Sequence, residues 1–282
     1  MTDLDNTLWD WFEAWHESFS AMLDRLVEMS GVPADVLEKE IRLVHQAQGT
    51  SEYSWLLNEL PSLRAASPDV APLVAYDEAV HVLNSLRRKA TRLYPTVTET
   101  LRTLRDRGVM IVAYTESIAY WTEWRIKHTR LDGVIDVLYS APDHDLPNGM
   151  TVGSIRQRPP EDYGLKHTVH RHVGRGVVKP NEKVLRQILD ECDRSVEAAV
   201  YVGDSKMKDI AMAQSAGVLD VHAKYGEVQE RPEYGLLRRV SHWPDVAVER
   251  EESLITSDEV QPTLTLNAQF AEILPLFDGG EA

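Results

Sequence analysis

The chain has 282 residues, 43% of them hydrophobic, which allows one large domain or a core with a smaller insert. A formal charge of −15 sets repulsion against non-specific binding of nucleic acid or an anionic membrane, so a phosphorylated ligand would need a locally positive site. A single cysteine, Cys192, excludes an internal disulfide and a cysteine zinc cluster; apolar runs too short to span a bilayer and the lack of a signal-peptide core make a soluble, cytoplasmic protein the expectation.

The chain opens MTDLDNTLWD, with Asp3, Asp5 and Thr7 at alternate positions and only two residues ahead of them. Residues 11–93 read as helices. Phe12, Trp15, Phe19, Met22, Leu26 and Met29 recur at three- and four-residue spacing up to Gly31-Val32-Pro33. A second stripe, Leu37, Ile41 and Val44, ends before Gly49. A third runs from Ser51 through Trp55 and Leu56 to Pro61, and a fourth through Val80, Leu83 and Leu86. Their aromatics read as core packing. Arg87, Arg88, Lys89 and Arg92 read as a solvated face.

From residue 94 helices and strands alternate. Thr96-Val97-Thr98-Glu99 has the pattern of a capping box, and VMIVAYT (109–115) is an apolar run expected of a strand buried on both faces. The helix TEWRIKHTRL and the strand VIDVLYSA (134–141) follow. After a Pro/Gly/His-rich stretch come a helix opened by Pro180, the buried strand AAVYVGDS, the helix DIAMAQSAGV and a short strand near DVHAKY. VEREESLITSDEVQ (248–261) reads as a surface loop, with PTLTL and AQFAEILPLF closing the core. Such alternation predicts a doubly wound parallel α/β sheet covered by helices.

In sheets of this kind ligands bind beyond the carboxyl ends of the strands. Thr115, Lys179, Asp204 and Asp209 fall there, and Asp3, Asp5 and Thr7 join them if a strand precedes Asp3. Four carboxylates in one crevice are costly without a cation, and oxygen-only ligands select a hard one, Mg²⁺ fitting best. The single features have plain readings too: Thr7 and Ser205 as helix caps, Lys179 as a surface lysine, and Cys192 as an inert helix residue. His167, His170 and His172 in KHTVHRH invite a zinc reading, which the absence of a nearby cysteine and the need for convergent ligands disfavour.

Taken in order, DLDNT, the strand end AYTES, KP at a helix start and VGDSKMKD resemble the four motifs of the haloacid dehalogenase superfamily. The resemblance implies a Rossmann-like catalytic core, residues 1–10 and 94–282, with a helical cap at 11–93 that closes over the substrate and selects the leaving group. It implies Asp3 as nucleophile, Asp5 as acid and base, and Thr115, Glu116 and Lys179 as the substrate-binding groups. Asp3, the Asp5 main chain, Asp204 and Asp209 would serve as the Mg²⁺ site, with Asp209 acting through water or by orienting Lys179. Dehalogenases lack the second aspartate of the first motif. Asp5 therefore favours a phosphatase that hydrolyses a small phosphorylated metabolite through an aspartyl phosphate. The open alternatives are a phosphomutase or phosphotransferase, and a catalytically weak binding protein whose first core strand is nearly absent. A typical strand has about five or six residues. Two alone are expected to leave a gap at the sheet centre and to hold Asp3 loosely, with about five mostly β-branched or aliphatic residues encoded upstream of Met1.

Overall fold

A computed structural model of the chain describes residues 1–156, 159–256 and 259–278; the expected core boundary at residue 282 and part of the acidic stretch lie outside them. Two compact units form. One comprises Met1–Trp9, Leu93–Gly226 and Val260–Ala282, the other Asp10–Arg92 and Glu227–Glu259.

The first unit is built on parallel strands: β1 (Val112–Ile118), β2 (Val137–Ala141), β3 (Val169–His172), β4 (Val200–Gly203), β5 (Leu219–Ala223) and β6 (Leu264–Leu266). They pair as β1-β2-β3 and β4-β5-β6. The N-terminal segment joins the two sets, because Thr2 bridges in parallel to Ala113 on one side and to Val202 on the other. Thr2 N donates to Val112 O at 2.9 Å, and Asp3 N donates to Val202 O at 2.8 Å. Short as it is, the segment ahead of Asp3 is hydrogen-bonded to a strand on each side. Beside this bridge an apolar cavity of about 30 Å³ opens among Leu101, Met110, Val202 and Phe270.

Local differences from the sequence reading have side-chain causes. Thr96 makes no capping box; it sits at φ +66° and its hydroxyl accepts from Ala271 N at 3.0 Å. The helix after Lys179 begins at Glu182 rather than Pro180, capped by Asn181, whose side chain accepts from Val184 N. The run AQFAEILPLF forms a 3-10 helix, Phe270–Phe277, with Pro275 inside it and a capping box between Gln269 and Glu272. Edge strand β3, in the stretch read only as Pro/Gly/His-rich, has too short and polar a sequence to announce itself.

The second unit is helical and has its own core. Phe12, Trp15, Phe19 and Met22 of helix Trp11–Ser30 pack with Leu37 and Ile41 of helix Ala34–Gln48. The expected helix from Ser51 shortens to Leu56–Glu59, since Ser51 and Glu52 instead bond the side chains of His242 and Trp11. Arg87 is buried rather than solvated and lies 3.9 Å from Glu52.

Residues 227–259, expected in the core, pack with these helices. Val228, Tyr234, Leu237, Val240 and Val248 are buried in the same cluster as Phe12 and Leu37. Arg239 pairs with Glu38 at 2.6 Å and Arg42 with Asp245 at 2.6 Å. The acidic stretch expected as a loop is for the most part the helix Asp245–Thr256; its charges hide a face on which Val248, Glu251 and Leu254 are buried.

His45 ties this unit together and gives it an acid-sensitive point. It is fully buried, and its Nδ1–H donates to Val240 O at 2.6 Å. Burial lowers its pKa to about 4. The unfolded chain, with histidine near 6.5, therefore binds the extra proton first as pH falls. Stability from this residue is complete above about pH 6.5 and is lost towards pH 4, by about 3 kcal/mol. Urea unfolding between pH 7 and 4 should show this slope, and His45→Gln, which keeps a donor but does not titrate, should flatten it.

Candidate active site

The parallel strands deliver their chemistry at their carboxyl ends, as the geometry of such sheets requires. Asp3 follows the Thr2 bridge, and Asp204 and Ser205 follow β4 directly. Asp209 lies in a single π-type turn, Lys206–Ile210, which Ser205 caps by accepting from Lys208 N. Lys179 reaches in from the segment ahead of helix Glu182–Glu191 and is buried.

Lys179 is the hub. Its ammonium donates to Asp3 Oδ1 at 2.5 Å and to Asp209 Oδ1 at 2.9 Å, and lies 5.0 and 5.6 Å from the ring centroids of Tyr114 and Tyr201. Asp209 also accepts from Ser205 N and from the Tyr201 hydroxyl. Asp204 accepts from the Thr7 hydroxyl at 3.1 Å, so Thr7 holds a carboxylate, while Asp10 caps the helix that follows. Carboxylate oxygens of Asp3, Asp204 and Asp209 lie within 4.8 Å of one another. Burial opposes the charge on Lys179, but Asp209 and Asp3 more than offset it and hold its pKa well above the usual value. Burial raises the Asp3 carboxyl as well, up to about 7, against the pull of Lys179.

Asp5 stands apart from this cluster. Its carboxylate accepts from Trp9 Nε1 at 2.6 Å and from Ser117 Oγ at 2.5 Å, with buried Arg125 3.7 Å away. The cluster of carboxylates thus contains three of the four aspartates expected to hold the metal, and Asp5 does not join it through its side chain. Thr115 is buried where the β1–β2 register breaks between Tyr114 and Ile118, and its hydroxyl accepts from Ser117 N. Glu116, expected to touch substrate, accepts from Lys179 N at 2.9 Å and from Lys208 Nζ at 2.7 Å. Burial would raise its pKa, but Lys208 and Lys179 outweigh that and lower it.

Two glycines are obligatory here. A Cβ on Gly203 would lie 2.3 Å from Asp209 Cγ, and one on Gly226 would lie 1.8 Å from Asn6 O. Gly203→Ala must displace Asp209 and so loosen Lys179. It should cost about 1–3 kcal/mol, the range typical of overpacking, read from the urea midpoint; an unchanged midpoint would contradict this packing.

The histidines of KHTVHRH do not join the cluster. His170 bonds Glu123 and Ser140, each at 2.8 Å, with the His172 ring 4.5 Å from its own.

The profile of the haloacid dehalogenase-like hydrolases matches residues 1–217, more than half of the chain. The chain belongs to this hydrolase family. The glyceraldehyde 3-phosphate phosphatase of Methanopyrus kandleri is 24% identical over 263 residues, covering 90% of this chain and 93% of its own. Among solved structures, a haloacid dehalogenase phosphatase from Thermococcus onnurineus superposes with a TM-score of 0.53 at 15% identity, covering 100% of this chain and 98% of that one. A 2-haloacid dehalogenase from Pseudomonas syringae gives 0.50 at 20%, covering 98% and 95%. At such identities the structural likeness shows the shared fold.

Within this haloacid dehalogenase-like fold, sequence reading missed Ser117, Arg125, Tyr201, Lys208 and His222. Ser117 and Lys208 lie inside the quoted motifs and could have been weighed. His222 donates its Nε2–H to the Asp204 carbonyl at 3.0 Å, and burial lowers its pKa to about 4. Arg125 and Tyr201 carry no local signal, because only the tertiary fold brings them in. No helix among the described residues is long and apolar enough to cross a membrane.

Proposed function

We propose that the chain is a Mg²⁺-dependent phosphatase that hydrolyses a small phosphomonoester through an aspartyl phosphate on Asp3. The observation that carries this reading is the convergence of Asp3, Asp204 and Asp209 around Lys179 at the carboxyl ends of the strands. The relative named as a glyceraldehyde 3-phosphate phosphatase supports a small phosphorylated substrate.

The donor set fits Mg²⁺. It consists of carboxylate oxygens with no sulfur or imidazole, and its three charges exceed the one positive charge of Lys179. Asp3 and Asp204 would hold the ion, with Asp209 supporting them through Lys179. When bound, Mg²⁺ would offset negative charge on the transferring phosphoryl group.

In this reading an oxygen of Asp3 attacks phosphorus and the bond to the leaving oxygen breaks. Asp5 gives that oxygen its proton, then takes one from the water that attacks phosphorus and releases Asp3. Trp9 and Ser117 anchor the Asp5 carboxylate for both steps. Lys179 offsets the charge that Asp3 and the phosphoryl group share, and the Thr115 hydroxyl donates to a phosphoryl oxygen. Glu116 positions Lys179 and Lys208. The helical unit, with residues 227–259, is assigned the selection of the leaving group.

Activity against a panel of phosphorylated metabolites should require Mg²⁺ and vanish in a chelator. Asp204→Ala should weaken metal binding more than Asp209→Ala, because Asp209 is already committed to Lys179, Ser205 and Tyr201. Full activity in chelator, or restoration by zinc alone, would overturn the proposal.

A further inference from the structure

A cavity of about 760 Å³ opens at the amino ends of β1, β2 and β3, the opposite end of the sheet from Asp3 and Asp204. β2 alone separates the two ends by ~17 Å. Met110, Val137 and Val169 supply its apolar lining, Val169 being left 52% exposed on edge strand β3. Its charged lining is mostly cationic. Arg102 and Arg105 come from helix Val97–Asp106, and Arg130 comes from the turn after helix Ala119–His128.

The carboxylates in the wall are already engaged. Asp132 accepts three successive backbone N–H bonds, from Lys166, His167 and Thr168, at 2.8 to 3.0 Å. Asp136 accepts from Ile111 N at 2.8 Å and pairs with Arg105 at 3.2 Å. Among the described residues no carboxylate pairs with Arg102 or Arg130. Three arginines against Asp132 and Asp136 leave the lining a net charge of +1, a local exception in a chain of charge −15. The wall is also fixed in advance. The Thr168 hydroxyl accepts from Gly133 N and donates to Ile135 O, and Gly133, at φ +83°, packs so close that a Cβ would lie 2.8 Å from His167 Cβ.

We propose that this cavity binds a small organic phosphate with an apolar or planar body, of the nucleoside diphosphate class, remote from the reaction centre. Guanidinium groups match phosphate oxygens in a fork geometry. An inorganic ion would leave the apolar lining uncovered, whereas a planar body would cover Val169. The inference stands independently of the phosphatase reading, since none of these residues belongs to the carboxylate cluster.

The test is calorimetric titration of the full chain with ADP in the presence of a chelator, on wild type, Arg102→Gln/Arg130→Gln and Val169→Glu. Wild type should bind saturably. The double variant should bind roughly 100-fold more weakly, as two lost charge-assisted contacts predict. Val169→Glu, which sets a carboxylate in the apolar lining, should also weaken binding, and all three proteins should melt at the same temperature. Absence of saturable binding at millimolar ADP, or wild-type affinity in both variants, would overturn the proposal.

Discussion

Asp3→Asn is expected to lower turnover by roughly 10⁴-fold or more, the scale for a group that acts as part of a catalytic unit. The amide keeps the shape of the side chain and can still accept from Lys179, but it cannot form the acyl phosphate. The fold should survive, because Thr2 and Asp3 are held through backbone bonds to Val112 and Val202. Steady-state assay alongside circular dichroism separates the two effects. Retention of a tenth of the activity in a folded variant would place the nucleophile elsewhere.

Lys179→Met is expected to have the largest effect on stability. It removes the ammonium shared by Asp3 and Asp209 and leaves their carboxylates buried beside Asp204 with no cation among them. Breaking a buried pair from one side typically costs about 3–5 kcal/mol. Added Mg²⁺ should recover part of that loss, since a divalent ion can take over the charge. Urea unfolding in chelator and in Mg²⁺ measures both. A variant as stable as wild type in chelator would show that the lysine is not what neutralises the cluster.

The fold was largely legible because its strongest signals are local. The apolar runs around Val112 and Val202 give buried strands, and the aromatic stripe from Phe12 to Met22 gives a helix. Placement of Asp3, Lys179, Asp204 and Asp209 followed from their positions at strand ends and a helix start. What escaped was set by tertiary contacts. Residues 248–261 read as an acidic surface loop, yet Val248 and Leu254 are buried, Val248 in the core of the helical unit. Thr96 has the right spacing for a capping box, but its hydroxyl bonds Ala271, distant in sequence. The environment of Asp5 depends on Arg125, a helical residue whose spacing says nothing of where it points.

The central claim is covalent catalysis by Asp3, and acid quenching tests it most directly. The protein would be mixed with a ³²P-labelled small phosphomonoester and Mg²⁺, quenched within the first turnover, digested and analysed by mass spectrometry. The account predicts hydroxylamine-labile label on the peptide that carries Asp3, absent from Asp3→Asn. Label on a histidine, or rapid product formation with no labelled peptide at any time, would contradict it.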